Sequence, residues 1–174
     1  MPRSTYSKLL QVLVTSESIG PKNISELAIA VQERKPDAFA IFRRDGTGKI
    51  VKSFASTESI RRNIRFAVAL ELLEADGNKS VVHLTDLGRK ALEGERYRSV
   101  LGQAVVNYLD NNKDAFGFDF EDIHRAIETQ TAPSRQDIQS QLNPVMSDEL
   151  FRKVLHLLAT CERIKYRDKR IYSL

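Results

Sequence analysis

Three arginines and several short polar side chains stand together in the stretch STESIRRNIR, residues 56–65. On a helix, Arg61 and Arg65 share one edge, and two like charges at this spacing cost about 0.2–0.5 kcal/mol unless an anion lies between them. Arg62 is four residues from Glu58 and can form an ion pair with it, so we expect Arg62 to be a weaker DNA contact than Arg61 and Arg65. Guanidinium, hydroxyl and amide groups contact phosphates and base edges in nucleic acids. The candidate contacts in this stretch are Thr57, Ser59, Arg61, Arg62, Asn63 and Arg65.

A second basic cluster lies close to the C-terminal end, with five cations between residues 163 and 170. On a β-hairpin, cations at 163, 165 and 167 share one face, while Ile164 and Tyr166 point to the other. Cations of the preceding helix would extend the same patch. The candidate contacts are Arg152, Lys153, Arg163, Lys165, Arg167, Lys169 and Arg170. For both clusters a plain alternative stays open: a solvated helix end in the first, and a charge-protected edge strand in the second.

The stretch RRDGTGKIVK, residues 43–52, resembles part of a phosphate-binding loop but lacks its spacing. Such a loop needs a glycine five residues before the Gly-Lys pair and a serine or threonine after it. Arg43 and Ile50 occupy those positions, so we reject a nucleotide site. A basic loop in which Arg43, Arg44 and Lys49 contact a DNA backbone or a partner remains as open as a plain surface turn.

Catalytic and metal-binding patterns are weak. The three histidines, His83, His124 and His156, are scattered along the chain, and no spacing of histidine, cysteine and carboxylate side chains suits a metal. Cys161 falls on an apolar helical stripe, where a free cysteine is typically part of the core. We therefore expect no catalytic residue, no metal, no cofactor and no enzyme activity.

The elements that position these residues are mostly helices. Apolar spacing predicts a helix that ends near Gly20, a second from Asn23 to Lys35 and a third that starts near Thr57. Residues 36–56 form a loop or small hairpin between the second and the third. A strand, a turn and a returning strand follow over residues 72–84, another helix starts at residue 85, and Gly94 is the predicted domain boundary.

The second half shows the same plan, so we predict two divergent copies. A stripe over residues 101–108 forms its first helix, Asp119 caps a second and Ser147 opens a third. A hairpin over residues 164–174 ends the chain. Ile60, Ile64 and Val68 of the first copy are matched with Leu150, Val154 and Leu158 of the second. Residues 130–147 are predicted to be an insertion with an extra helix, Ser134 to Leu142.

The segment ELLEADGNKSVVHLTDLGRKAL, residues 71–92, resembles the wing and following helix of winged-helix regulators of the MarR and PadR type. Their wing often ends in a hydrophobic residue followed by Leu-Thr-x-x-Gly, and here Leu84, Thr85 and Gly88 supply that tail. Residues 157–174 look like a second wing. The resemblance implies a mainly α chain with small β-hairpins (α+β), built as tandem winged helix-turn-helix domains over residues 1–94 and 95–174. It also implies a DNA-binding fold, and Lys79 is the candidate contact of the first wing.

Composition permits a DNA partner without requiring one. The 174 residues carry 27 Lys and Arg against 23 Asp and Glu, and the charges divide as 15 and 12 over residues 1–95 and as 12 and 11 over residues 96–174. We expect a double-stranded DNA-binding protein, either a transcriptional regulator or the recognition component of a larger DNA-processing or defence complex. The alternative is a winged-helix scaffold for protein–protein interaction, with a protein partner or a homodimer. One cysteine and no signal or membrane segment predict a cytoplasmic protein, nucleoid-associated in a prokaryote.

Overall fold

A computed structural model of the protein describes residues 5–34, 36–77, 81–167 and 170–173, with every side chain in them except that of Arg43. The chain divides into two compact units, the first ending at Tyr97 and the second beginning at Arg98. Helices predominate and the strands are short and antiparallel, so the α+β class is confirmed. The boundary at Gly94 stays a prediction, because compactness alone does not show where each unit would fold by itself.

Among its described residues, the first unit has three long α-helices, one short α-helix, a 3-10 helix (Pro36–Phe39) and five strands. Its helices are α1 (Thr5–Ile19), α2 (Ile24–Arg34), α3 (Thr57–Ala69) and α4 (Asp86–Leu92). Its strands are β1 (Lys22–Asn23), β2 (Ala40–Arg44), β3 (Ile50–Phe54), β4 (Leu73–Asp76) and β5 (Val81–Leu84). The predicted helix starts are confirmed, and each has a local cause. Asn23 and Glu26 exchange two capping hydrogen bonds, and Ser56 Oγ accepts from the Ser59 amide at 3.3 Å.

The core of the first unit lies between α1, α2 and α3. Each helix buries an apolar stripe at helical spacing, and removing these side chains from water is the main force that packs the three together. The principal buried residues are Leu9, Leu13, Leu27, Val31, Ile60 and Ile64. Beside the helices, β5 pairs antiparallel with both β1 and β4 in a three-stranded sheet of order β1-β5-β4. This sheet fixes the position of the chain just after α3.

The threonine and glycine of the Leu-Thr-x-x-Gly tail have separate structural roles. Thr85 Oγ1 accepts a hydrogen bond from the Gly88 amide at 2.9 Å, which caps α4, and donates one to the Glu71 carbonyl at 2.6 Å. A Cβ placed on Gly88 would overlap the Leu72 carbonyl oxygen. Only glycine therefore lets α4 approach the turn after α3 this closely.

The second unit is built from five helices and one hairpin among its described residues. These are α5 (Tyr97–Asn111), α6 (Lys113–Phe116), α7 (Phe120–Glu128), α8 (Arg135–Leu142), α9 (Asp148–Thr160), β6 (Lys165–Arg167) and β7 (Arg170–Tyr172). The predicted caps Asp119 and Ser147 and the predicted helix after Ser134 are confirmed. Between α4 and α5 the chain leaves the helical conformation at Gly94, which has a φ of +58°.

Strand pairing corrects how the two units correspond. In the first, Asn23 pairs with Val81, the first residue of β5, and then caps α2. In the second, Ser134 bridges Arg170, the first residue of β7, and then caps α8. The helices α7, α8 and α9 therefore take the places of α1, α2 and α3, and α5 is an addition. The prediction that residues 130–147 are an insertion was wrong.

The turn after the third helix sets the register between the copies. Ser56 and Ser147 cap α3 and α9, and fifteen residues after each cap stands a glutamate with a positive φ, Glu71 at 57° and Glu162 at 56°. Ile60 therefore matches Phe151 and not Leu150 as predicted, so the predicted alignment is one residue out. Apolar spacing alone allows both registers, because residues three and four apart lie on the same helix face.

Candidate nucleic-acid interface

The solvent side of α3 carries the three arginines of the STESIRRNIR stretch. Ile60 and Ile64 anchor the opposite side of the helix in the core, so the helical repeat turns positions 58, 61, 62 and 65 outward. We call Glu58, Arg61, Arg62 and Arg65 the α3 face. The α3 face has a formal charge of +2. It lies at the N-terminal end of α3, which Ser56 caps.

Within the α3 face the ion pairs differ from those expected. Glu58 pairs with Arg61 at 3.4 Å and with Arg65 at 3.2 Å, whereas Arg62 is exposed and makes no hydrogen bond or ion pair with any described residue. Helical side chains lean toward the N-terminus, and Arg65, two turns after Glu58 on the same side of the helix, is long enough to reach back to it. The expected Glu58–Arg62 pair was wrong, and Arg62 becomes the most available of the three cations.

Glu58 is held in its charged form by these partners. Desolvation acts to raise the pKa of its carboxyl, but the hydrogen bonds and charges of Arg65 and Arg61 outweigh it and lower the pKa below the ordinary range. At neutral pH the carboxylate is therefore ionised and keeps two guanidinium groups in place. A phosphate that binds Arg61 or Arg65 has to compete with it.

The polar candidates on α3 are not equally presented. Asn63 is only 8% exposed and its Nδ2 donates to the Ser59 carbonyl at 2.8 Å, so its amide is used inside the helix. The structure thus speaks against Asn63 as a contact. Thr57 and Ser59 are half-buried in the first turn.

The solvent side of α9 repeats this arrangement with a different charge. At the positions of Glu58, Arg61, Arg62 and Arg65 it carries Glu149, Arg152, Lys153 and His156. Lys153 pairs with Glu149 at 2.8 Å, and Asp148 adds a second acid in the first turn. With a neutral histidine, the outward side of α9 has no net charge, so it holds an anion less strongly than the α3 face.

The hairpin of β6 and β7 groups most of the predicted basic cluster. Arg167 lies opposite Arg170 and Lys165 opposite Tyr172, so these exposed residues share one face. Arg163 leaves that face, because its guanidinium turns to α5 and donates to Gln103 at 3.3 Å. Lys79 and Lys169 lie outside the described residues.

Arg170 also makes contacts that stabilise the second unit. Its guanidinium donates to the Ala132 carbonyl at 3.2 Å and lies 3.6 Å from an Asp137 carboxylate oxygen. Both partners flank the Ser134 cap of α8. Arg170 therefore ties β7 to the start of α8, and its charge is partly offset there.

The stretch around GTGK forms the tip of a hairpin between β2 and β3. Asp45 Oδ1 accepts from the Thr47 amide at 2.9 Å, the Thr47 hydroxyl at 2.6 Å and the Lys49 amide at 2.9 Å. The Thr47 hydroxyl is the main cause that lowers the pKa of Asp45. A tip closed in this way between antiparallel strands is not a phosphate-binding loop, which runs from a strand into a helix. Arg44 and Lys49 are exposed beside the tip.

The same hairpin has a feature that the sequence interpretation missed. Large apolar side chains are exposed on both strands: Phe42 (47%), Ile50 (63%), Val51 (45%) and Phe54 (52%). The signal in the sequence was two apolar pairs flanked by cations, Ile41-Phe42 and Ile50-Val51, with Phe54 after them. The structure shows no described element packed over these side chains.

Chemically reactive groups are few and separate. Cys161 is buried, as predicted for a core residue, and burial raises the pKa of its thiol to about 11. His83 lies 3.6 Å from Glu74 across the β4–β5 pair, and His124 packs on the Phe120 ring. Within the described ranges, no three histidine, cysteine or carboxylate side chains are grouped as a metal would need. In those ranges there is also no helix with the length and apolar character to cross a bilayer.

Net charge separates the two units more sharply than the sequence halves do. Residues 1–97 carry 16 Lys and Arg against 12 Asp and Glu, and residues 98–174 carry 11 of each. The whole formal excess of +4 therefore belongs to the first unit. A polyanion would be attracted to that unit first.

Comparisons with known proteins found no matching family model, no matching curated protein and no matching solved structure.

Proposed function

We propose that the chain is a double-stranded DNA-binding protein made of two tandem winged-helix domains. The observation that carries the proposal is the α3 face, where three cations are presented on a capped helix that leads into a strand pair. A recognition helix needs this division, with polar and cationic side chains outward and apolar ones locked in the core. The repeated frame of α7, α8, α9 and the β6–β7 hairpin supports a second domain of the same kind.

In this mechanism the first unit supplies most of the binding. Its α3 would lie in or along a major groove, with Arg62 and Arg65 on phosphates or guanine edges. Lys165 and Arg167 of the β6–β7 hairpin would add phosphate contacts from the second unit. The biological role that fits is transcriptional regulation or DNA recognition within a larger DNA-processing or defence complex, in the cytoplasm or on a nucleoid.

A salt titration of duplex binding tests the proposal. About six phosphate contacts would make affinity fall on the order of a thousandfold between about 50 and 200 mM salt. Arg62→Glu/Arg65→Glu should weaken binding and reduce the slope of log affinity against log salt by about 2, because two phosphate contacts are lost. The matched control is Lys90→Glu/Arg96→Glu, which makes the same charge change elsewhere in the first unit. Equal losses in both variants would contradict a contact through α3.

A winged-helix scaffold for a protein partner is the second candidate, and the exposed apolar side chains of the β2–β3 hairpin favour it. The two candidates differ in salt dependence. An apolar interface weakens little between low and moderate salt, whereas phosphate binding weakens steeply. Absence of duplex binding at low salt would remove the first candidate and leave the scaffold.

A further inference from the structure

The β2–β3 hairpin places two phenylalanines and two cations on one face. Directly opposed residues of an antiparallel pair lie on the same side, and the opposed pairs here are Phe42 with Lys52, Arg44 with Ile50, and Ala40 with Phe54. We call Phe42, Arg44, Ile50, Lys52 and Phe54 the Phe face. All five side chains are exposed.

The base of the hairpin is fixed while its face stays open. The Ala55 amide donates to the Phe39 carbonyl at 2.9 Å, and Gln32 of α2 donates to the Ala55 carbonyl at 3.3 Å. Ala38, Phe39 and Ala55 are buried. These contacts anchor the base of the hairpin to α2 and to the core, so they also fix the position of the strands that carry the exposed rings.

Charge decides which partner suits this face. Residues 40–54 carry four cations and one acid, a formal +3 out of the +4 of residues 1–97. That one acid, Asp45, is engaged by three hydrogen bonds in the tip. Two copies placed face to face would bring two such charges together, which opposes a homodimer. A polyanion is complementary in charge to the β2–β3 hairpin.

The exposed phenylalanine rings indicate which class of polyanion suits this face. Phe42 and Phe54 are diagonal neighbours that are 47% and 52% exposed, and Lys52, which lies opposite Phe42, places its Nζ over the Phe54 ring at 5.3 Å from the ring centre. Bases inside a duplex keep their faces stacked on one another, whereas unpaired bases can stack on aromatic side chains beside a basic track. Phe54 is also three residues before Thr57 at the start of α3, a distance of at most about 11 Å along the chain.

We propose that the Phe face binds unpaired bases next to the duplex held by α3, so the preferred ligand is a duplex with a single-stranded extension. This inference rests on the proposed function and specifies its substrate. Phe42 and Phe54 each stack on a base, and Arg44 and Lys52 neutralise the neighbouring phosphates. The Asp37 carboxylate, 2.5 Å from Lys52 Nζ, orients that ammonium in the absence of nucleic acid.

The test compares a blunt DNA duplex with the same duplex carrying a single-stranded extension, by fluorescence anisotropy at one salt concentration. Wild type should bind the extended duplex about tenfold or more tightly than the blunt one, which is the size expected for aromatic stacking. Phe42→Ala/Phe54→Ala should lose that preference and keep its affinity for the blunt duplex. Both rings are exposed, so the variant should fold, and circular dichroism checks this.

Two control variants separate stacking from other uses of the face. Phe42→Leu/Phe54→Leu keeps the apolar area but not the π surface and should also lose the preference. Val51→Ala, on the opposite face, should retain it. Preference for the extended duplex in the leucine variant would overturn the proposal, as would equal binding of both duplexes by wild type. Dimerisation or binding to phosphatidylserine vesicles that depends on the two rings, without any effect on DNA binding, would overturn it as well.

The two proposals fail in different ways. If wild type binds the blunt duplex but shows no preference for the extended duplex, the proposal for the Phe face is contradicted and the duplex-binding function stands. Absence of blunt-duplex binding contradicts the duplex-binding function. Binding of the single-stranded oligonucleotide alone then tests the Phe face. Binding that depends on the two rings supports this proposal, and absence of binding overturns it.

Discussion

The first and second units share a frame but differ in what they add to it. In both, the residue that caps the second helix of the frame pairs with the returning strand, and a glutamate with a positive φ stands two residues after the end of the third helix. The first unit adds the β2–β3 hairpin between its second and third helices, whereas the second unit has only residues 143–147 there. The frame positions the outward helix faces, while the added hairpin and the formal charge of +4 distinguish the first unit from the second.

The largest expected effect concerns the glycines packed against the turn after the third helix. Gly88→Ala should lower the free energy of unfolding of the first unit by about 2–3 kcal/mol, because its Cβ overlaps a backbone oxygen that cannot move freely. Gly102→Ala meets Cys161 Cβ at 2.9 Å and the Arg163 side chain at 3.0 Å. The arginine can shift, but the Cys161 Cβ is fixed to the backbone, so this overlap, which is smaller than that at Gly88, should cost about 1–2 kcal/mol after the helix preference for alanine is counted.

Denaturant-dependent hydrogen exchange, followed separately for peptides of each unit, measures this difference. Gly46→Ala is the control, because a Cβ there meets nothing within 4 Å. Equal destabilisation by the Gly88 and Gly102 variants would show that the two turns are packed alike, contrary to the close backbone approach at Gly88.

The next effect compares matched cations on α3 and α9. Arg62→Glu should weaken duplex binding by about tenfold, or ~1.4 kcal/mol, because Arg62 is exposed and unpaired by any described residue. Lys153→Glu, at the matching position, should weaken it by less than about threefold, because Lys153 is already paired with Glu149. Anisotropy titrations at one salt concentration measure both. A larger loss of duplex affinity in the Lys153 variant than in the Arg62 variant would contradict the proposal that the first unit supplies most of the binding.

A smaller effect checks the equivalence of the two turns. Glu71→Gly and Glu162→Gly should each stabilise their own unit by about 0.5–1 kcal/mol, because glycine adopts a positive φ without steric cost. The gain at Glu162 should be slightly smaller, since its ion pair with Arg98 at 2.6 Å is lost. Thermal unfolding of both variants beside Glu162→Gln, which removes only the charge, measures the difference. Destabilisation at either site would contradict the shared turn.

The smallest effect is a difference in acid response. The Ser134 amide and hydroxyl, and then the charge of Arg170, hold the pKa of Asp137 below its ordinary value. The matching acid of the first unit, Glu26, accepts the corresponding hydrogen bond from the Asn23 amide at 3.4 Å, against 2.7 Å between the Ser134 amide and Asp137. A lowered pKa means stability that is present above the unfolded value of about 3.9 and is lost as pH falls through the folded value. Asp137→Asn should keep the hydrogen bond and flatten the acid transition of the second unit below about pH 4. Circular dichroism across this range would show an unchanged transition if Asp137 does not contribute.

Much of the fold was accessible from local pattern. The starts at Asn23, Asp119 and Ser147 follow from side chains that satisfy free amides of the first turn, an interaction within a few residues. The hairpin over residues 72–84 followed from two short runs of strand-forming residues separated by turn-forming residues. These predictions held because their causes are short-range. The winged-helix assignment and the DNA contacts stay predictions of this article.

The sequence by itself determined the helices, their apolar stripes, the clusters of cations and the absence of a phosphate-binding spacing, since each depends on residue type and local periodicity. Only the tertiary structure decided that α8 corresponds to α2, that Glu58 holds Arg61 and Arg65 instead of Arg62, and that Arg163 turns away to Gln103. Long-range strand pairing and the reach of long side chains set these outcomes, and neither is written in local spacing. The exposure of Phe42 and Phe54 is of the same kind, because a short β-prone run has the same sequence whether or not another element covers it.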